Sequence, residues 1–158
     1  MSAIDSSRVD QSVSGSIRRP GLNWWQASLF GAVTATVINL AIWGVAALGG
    51  AALALLDDGG NYPIELGSVV FSSAVPMVLG IVLAAVIAHW WTGVIRVAQV
   101  VGALLAVGTL WSVFAYSIDA GTTVALTAMH LVSGAVVVLA LEGLRRRVLD
   151  GRRAHGAR

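Results

Sequence analysis

The stretch TTVALTAMHLVSGAVVVLALEGLRRR, Thr122 to Arg147, decides the fold. From Thr122 to Leu141 it carries no Asp, Glu, Lys or Arg. About 20 such residues, rising ~1.5 Å each in a helix, cross a ~30 Å hydrocarbon core. Thr122 or Thr123 can cap the first turn with a hydroxyl oxygen. At the other end Glu142 and the basic run Arg145-Arg146-Arg147 stop the span, and a membrane holds such arginines on its cytoplasmic side. His130 is the only ionisable residue deep inside an apolar run.

The rest of the chain repeats this pattern. Of 158 residues, 57% are hydrophobic and only 11% charged, against about 25% charged in an average globular chain. The charges are sorted as well as few. None falls in 20–56, 66–95 (Leu66 to Ile95), 97–118 or 120–141, so four membrane spans are predicted, at about 24–48, 68–89, 94–116 and 122–143. The fold class expected is therefore an all-α, integral membrane four-helix bundle of up-down-up-down topology. There is no cysteine, which excludes disulfides, thiolate metal sites and a cysteine nucleophile. The basic pI of about 9.9 comes from ten arginines placed to hold loops inside, and does not mark a nucleic-acid partner.

In chain order, residues 1–20 are polar and serine-rich and read as a disordered cytoplasmic tail. Arg18-Arg19 before a long apolar run is an anchor and only faintly resembles a twin-arginine export signal. Trp24-Trp25 opens the first span at an interface. Apolar character persists past Gly49-Gly50 to Leu56, so either the helix tilts or Ala51–Leu56 lies on the outer surface. Asp57–Gly67, DDGGNYPIELG, is the first external loop by its turn residues and three acids. Pro76 bends or breaks the second span, with Ser72 and Ser73 one turn before it to re-satisfy the backbone. His89-Trp90-Trp91 is an interfacial belt. Ala98, Gly102 and Ala106 then form a small-residue stripe on the third span that lets another helix approach. Ser117–Gly121 is a short outer turn, and 148–158 a basic cytoplasmic tail. With both termini inside, all ten arginines are cytoplasmic, and the external loops hold four acids and no base.

Residues within this pattern resemble a family of small four-span membrane proteins of actinobacteria whose biochemical function is unassigned. The matching positions are Asn39 in the first span and Trp111 and Ser112 in the third. In the fourth they are Thr122, Thr123, Ala125, Leu126, Met129, His130 and Leu131. The likeness covers roughly Leu22 to Arg147, although Ser117–Gly121 lacks the proline expected before the fourth span. The resemblance implies a four-span fold and a bacterial cell membrane, with no reaction to carry over.

Polar groups inside the spans are the candidate site: His130, Asn39, Ser112 and Thr127, with Ser133 and Thr109 as lesser members. A histidine in a span is either a neutral group tying two helices together or part of a proton relay, ligand contact or metal site. Depth is compatible with Asn39 as the hydrogen-bond partner of His130, with a helix hydroxyl as the alternative. A bis-histidine haem on His89 and His130 is excluded, because the two lie roughly 20 Å apart along the membrane normal. Neither a cofactor nor a catalytic constellation is expected. Asp57, Asp58 and Glu65 read as a solvated loop in preference to a cation site. The expected partners are the bilayer, anionic lipids at Arg145, Arg146 and Arg147, and a second copy or another membrane protein. Two functions follow: a non-enzymatic interaction or structural component, or a small transporter or channel subunit with a polar path around Asn39 and His130.

Overall fold

The computed structural model describes residues 21–57 and 59–156. The predicted tail at 1–20, with Arg18-Arg19, lies outside them, as does Asp58. In order come α1 (Trp24–Leu48), β1 (Ala54–Asp57), β2 (Gly60–Pro63), α2 (Leu66–Ala88), α3 (Val94–Gly108), α4 (Leu110–Tyr116) and α5 (Ala120–Gly156). With α3 and α4 taken as one span, four helices among the described residues are long and apolar enough to cross a membrane. Many large apolar side chains are exposed on them, including Leu29, Val45, Leu79, Leu104 and Leu139. Such a surface needs an apolar solvent.

Helix α1 buries Ala27, Gly31, Ala35 and Asn39 at a spacing of four, and α2 buries Val69, Ser73, Met77 and Ile81 in the same way. Ridges at that spacing interdigitate, and small residues let the helices close in. A Cβ on Gly31 would come within 3.1 Å of Met77 Cγ. Helix α1 packs extensively on both α2 and α5, and α3 packs on α5. Contact between α2 and α3 is sparse, which leaves a cleft on that side. Leu22 N–H donates to Gly143 O, Asn39 bonds Ser133, and Leu53 N–H reaches Thr122, so α1 and its extension meet α5 in reversed order. One core fills the half of the bundle nearest Gly143, with Ala27, Met77, Ile81, Ile95, Ala140 and Leu144 among its buried members. A smaller cluster of Val113, Leu126 and Met129 lies at the other end.

Four expectations need correction. The fold is not purely helical, because the stretch expected as an external loop forms an antiparallel β-hairpin, Ala54 paired with Pro63 and Asp57 with Gly60. Gly59 supplies the left-handed φ of +79° that a tight hairpin turn demands. The persistent apolar run at Ala51–Leu56 thus leads into β1 and supplies its first three residues, and Leu55 bridges to Ser117. Second, the third span breaks at Thr109, whose hydroxyl donates back to Leu105 O and Ala106 O. Such back-bonding bends helices. Third, α5 runs 37 residues to Gly156, well past the expected end near 143. Finally, neither Thr122 nor Thr123 caps it. Asp119 does, with Oδ1 accepting the Thr122 N–H at 2.5 Å, while Thr122 Oγ1 accepts the Leu53 N–H at 2.9 Å.

Candidate functional site

Asn39 reaches the bundle interior because it continues the small-residue face of α1. It is 3% exposed. Its Nδ2 donates to Ser73 Oγ at 2.9 Å and to Ser133 Oγ at 3.0 Å, so one side chain ties α1, α2 and α5 together. Both amide hydrogens are then used. Its Oδ1 is buried with no hydrogen-bond partner among the described residues.

His130 is not bonded to Asn39, the partner that depth allowed. Its Nδ1 lies 2.7 Å from Leu126 O, one turn back on its own helix. A carbonyl only accepts, so Nδ1 carries the proton and Nε2 is left for another partner. The serines outcompete the histidine for Asn39. Ser133 stands nearly one turn beyond His130 on α5, and Ser73 offers a second oxygen from α2. Ser73 and Ser72 therefore do not serve Pro76: Ser72 Oγ donates to Val69 O, and Ser73 Oγ accepts from Asn39.

A cavity of ≈ 440 Å³ lies between these residues and the hairpin, lined by Asn39, Tyr62, Ile64, Ser73, His130 and Ser133 among others. That volume falls within the ~300–1,000 Å³ typical of ligand pockets. Trp43 fixes its roof by donating from Nε1 to Ile64 O at 2.8 Å. The cleft between α2 and α3, ≈ 370 Å³, shares Ser72, Ser73, Ala106, His130 and Ser133 with that cavity. A further hollow of ≈ 390 Å³ is lined by Leu55, Ser112, Tyr116 and His130. His130 borders all three.

The remaining sequence candidates scatter. Ser112 is exposed and donates to Thr109 O at 2.7 Å. Thr127 has its Oγ1 buried without a partner among the described residues, and it lines none of these hollows. Ala98, Gly102 and Ala106 do lie together, along one wall of the α2–α3 cleft. A Cβ on Gly102 would meet Val137 Cγ1 at 3.0 Å, and one on Gly134 would meet Ala106 Cβ at 2.8 Å, so α5 of the same chain already takes this face. His89 is exposed at the end of α2, edge-on to Trp90 at 5.6 Å, away from the cavity. Among the described residues no three His, Cys, Asp or Glu side chains gather as a metal site.

Several contributors were missed from sequence. Gln99, 6% exposed in the third span, donates to Val138 O and accepts from Arg96. As an amide inside a charge-free run it carried the same signal as Asn39. Beyond it Glu142 pairs with Arg145 at 2.9 Å and Arg146 at 3.1 Å. Asp119, in the short outer turn, also accepts the Ala52 N–H at 2.6 Å. The N–H groups of Thr122 and then Ala52 hold its carboxyl below the ordinary 3.8.

Helices that expose this much apolar surface and could each cross a bilayer define a multi-pass membrane protein. A family model matches residues 20–147, and the chain belongs to that family, DUF6069, a family of unknown function. No curated protein and no solved structure matches the chain.

Proposed function

We propose that this protein is a non-enzymatic component of the bacterial cell membrane, with both termini cytoplasmic and a pocket that is open outward and blind within. The observation that carries it is the contrast between the two halves. The cavity at Asn39 and His130 lies under the hairpin, and the end of the bundle nearest Gly143 is filled by the core around Ala88, Ile95 and Leu144. Reversed pairing of α1 with α5 favours the up-down-up-down course, and the confinement of arginines to one side favours cytoplasmic termini. The hydroxyls of Ser73 and Ser133 are bonded to an amide and not to a general base, which favours binding over nucleophilic chemistry. The transporter reading has support from the same cavity, but beyond the cleft a standing conduit would have to pass the buried side chains of Ile95 and Leu144.

Because the chain has no cysteine, single-cysteine variants report access directly. In intact cells, Ser68→Cys on the cavity wall should react with a membrane-impermeant maleimide added outside. Ala84→Cys should react from neither side, and a phosphatase fused after Arg158 should be inactive. Labelling of Ala84→Cys would favour the transporter. An active fusion would reverse the topology.

A further inference from the structure

We infer that the cavity and the α2–α3 cleft together hold one amphiphile: a neutral, hydroxyl-bearing lipid of the monoacylglycerol type. Its head would sit at Asn39, Ser73 and Ser133 and its chain between α2 and α3. The inference rests on the pocket proposed above and names its occupant.

The head group is dictated by what the pocket offers. Asn39 Oδ1 is an acceptor, almost wholly buried, and no described residue donates to it. Leaving such a group unpaired is costly, so a ligand here must bring an O–H or N–H. Ser73 and Ser133 each accept from Asn39, and each retains a hydroxyl hydrogen for an acceptor on the ligand. A hydroxyl donates and accepts at one oxygen, so a single such group can answer Asn39 Oδ1 and a neighbouring serine together. A ligand with carbonyl oxygens alone would leave Asn39 Oδ1 unpaired. A carboxylate or phosphate would bury charge without a counter-ion, because no Asp, Glu, Lys or Arg lies among the described residues lining the cavity or cleft.

The chain's place follows from continuity. Cavity and cleft share Ser72, Ser73, Ala106, His130 and Ser133, and from there the walls become apolar through Pro76, Gly80, Val101 and Leu105. Contact between α2 and α3 is sparse, so a chain can enter sideways from the bilayer. Gly80 keeps room for it, as a Cβ there would meet nothing within 4 Å. Lipid already solvates an acyl chain as well as the cleft does, so selection lies with the head.

The test uses the full-length protein in nanodiscs with a monoacylglycerol carrying a mid-chain diazirine, and labelled peptides are mapped by mass spectrometry. Labelling is expected within 76–80 and 101–105 and should be competed by monoolein. Gly80→Phe puts a ring at the cleft from a position whose Cβ would meet nothing within 4 Å, and it should cut labelling ~10-fold at unchanged melting temperature. Asn39→Leu should weaken competition ~5–10-fold, and if that variant fails to fold, Ser133→Ala should weaken it by a smaller factor in the same direction. The inference is overturned by labelling that is equal at Leu29 and Val45, or that survives Gly80→Phe. It is equally overturned if oleate or phosphatidylglycerol competes better than monoolein, since the head would then be anionic. Failure of labelling with Ser68→Cys still reactive from outside sinks the lipid and spares the pocket. An unreactive Ser68→Cys sinks the pocket itself.

Discussion

Buried polar side chains in this bundle differ in what they hold, and their energetics should differ accordingly. Asn39 bonds two other helices, His130 bonds its own, and Thr127 Oγ1 bonds nothing described. Interhelical bonds within membranes are worth roughly 0.6–2 kcal/mol each. Asn39→Leu should therefore cost ~1–3 kcal/mol. His130→Phe keeps the bulk and should cost less than Asn39→Leu, since Leu126 O also lies within helical backbone bonding. Thr127→Val removes a hydroxyl without a partner and should be neutral or stabilising by up to ~1 kcal/mol. Thermal unfolding in detergent gives the ranking, and a larger loss for Thr127→Val than for Asn39→Leu would contradict it. Asn39 was visible in sequence as an amide in a span. Its partners were not, because depth along the normal restricts a partner to a layer and leaves its azimuth open.

Helix faces carry the next level of organisation. The stripe Ala98, Gly102, Ala106 was readable as a close-approach surface, and the element it approaches is α5 at Val137 and Gly134. Gly102→Leu should overpack that contact, where a Cβ alone already meets Val137 at 3.0 Å, and should cost ~1–3 kcal/mol. Val100→Leu, on an exposed face, should leave stability within ~0.5 kcal/mol. Equal melting temperatures for the two variants would show that α3 does not press on α5. The corresponding face of α1, Ala27, Gly31, Ala35 and Asn39, has the same spacing and went unread because its last member is an amide. Helix α5 also outgrew its expected length. Its 37 residues span ~55 Å, longer than a ~30 Å hydrocarbon core, and the excess carries the Glu142–Arg145 and Glu142–Arg146 pairs.

Across the whole molecule, the hairpin end is joined to the fourth span through Asp119, which accepts N–H groups from Ala52 and Thr122. Those bonds favour the ionised carboxyl and depress its pKa from 3.8. A group with a lowered folded pKa stabilises the fold fully above its unfolded value, and that contribution is lost as pH falls through the folded value. Hydrogen-exchange protection at Ala52 and Thr122 should accordingly be constant above the ordinary carboxylate range and decline as pH falls below it. Asp119→Asn should lower it at neutral pH and abolish the decline. Protection independent of pH in the unsubstituted protein would remove Asp119 from this role. Since the hairpin roofs the cavity, loosening this tie should also widen access to the buried cavity-lining Met129.

Four apolar segments long enough to cross a membrane were legible in the sequence alone, because hydrocarbon tolerates no charge and every backbone group must be bonded within its own helix. The break at Thr109 and the continuation of α5 to Gly156 escaped that logic, since hydroxyl back-bonding and a helix leaving the membrane alter no hydropathy rule. The hairpin escaped it as well, although Asp58-Gly59 between short runs is a turn signal. Only the tertiary structure decided which helices touch. It placed α5 against both α1 and α3, left only sparse contact between α2 and α3, and so opened the cleft beside Asn39 and His130. Apolar spans of alanine, valine and leucine differ little in what they bury. Their lateral order is selected by close approach at glycines and by a few buried amides, both of which need a partner in three dimensions to have any effect.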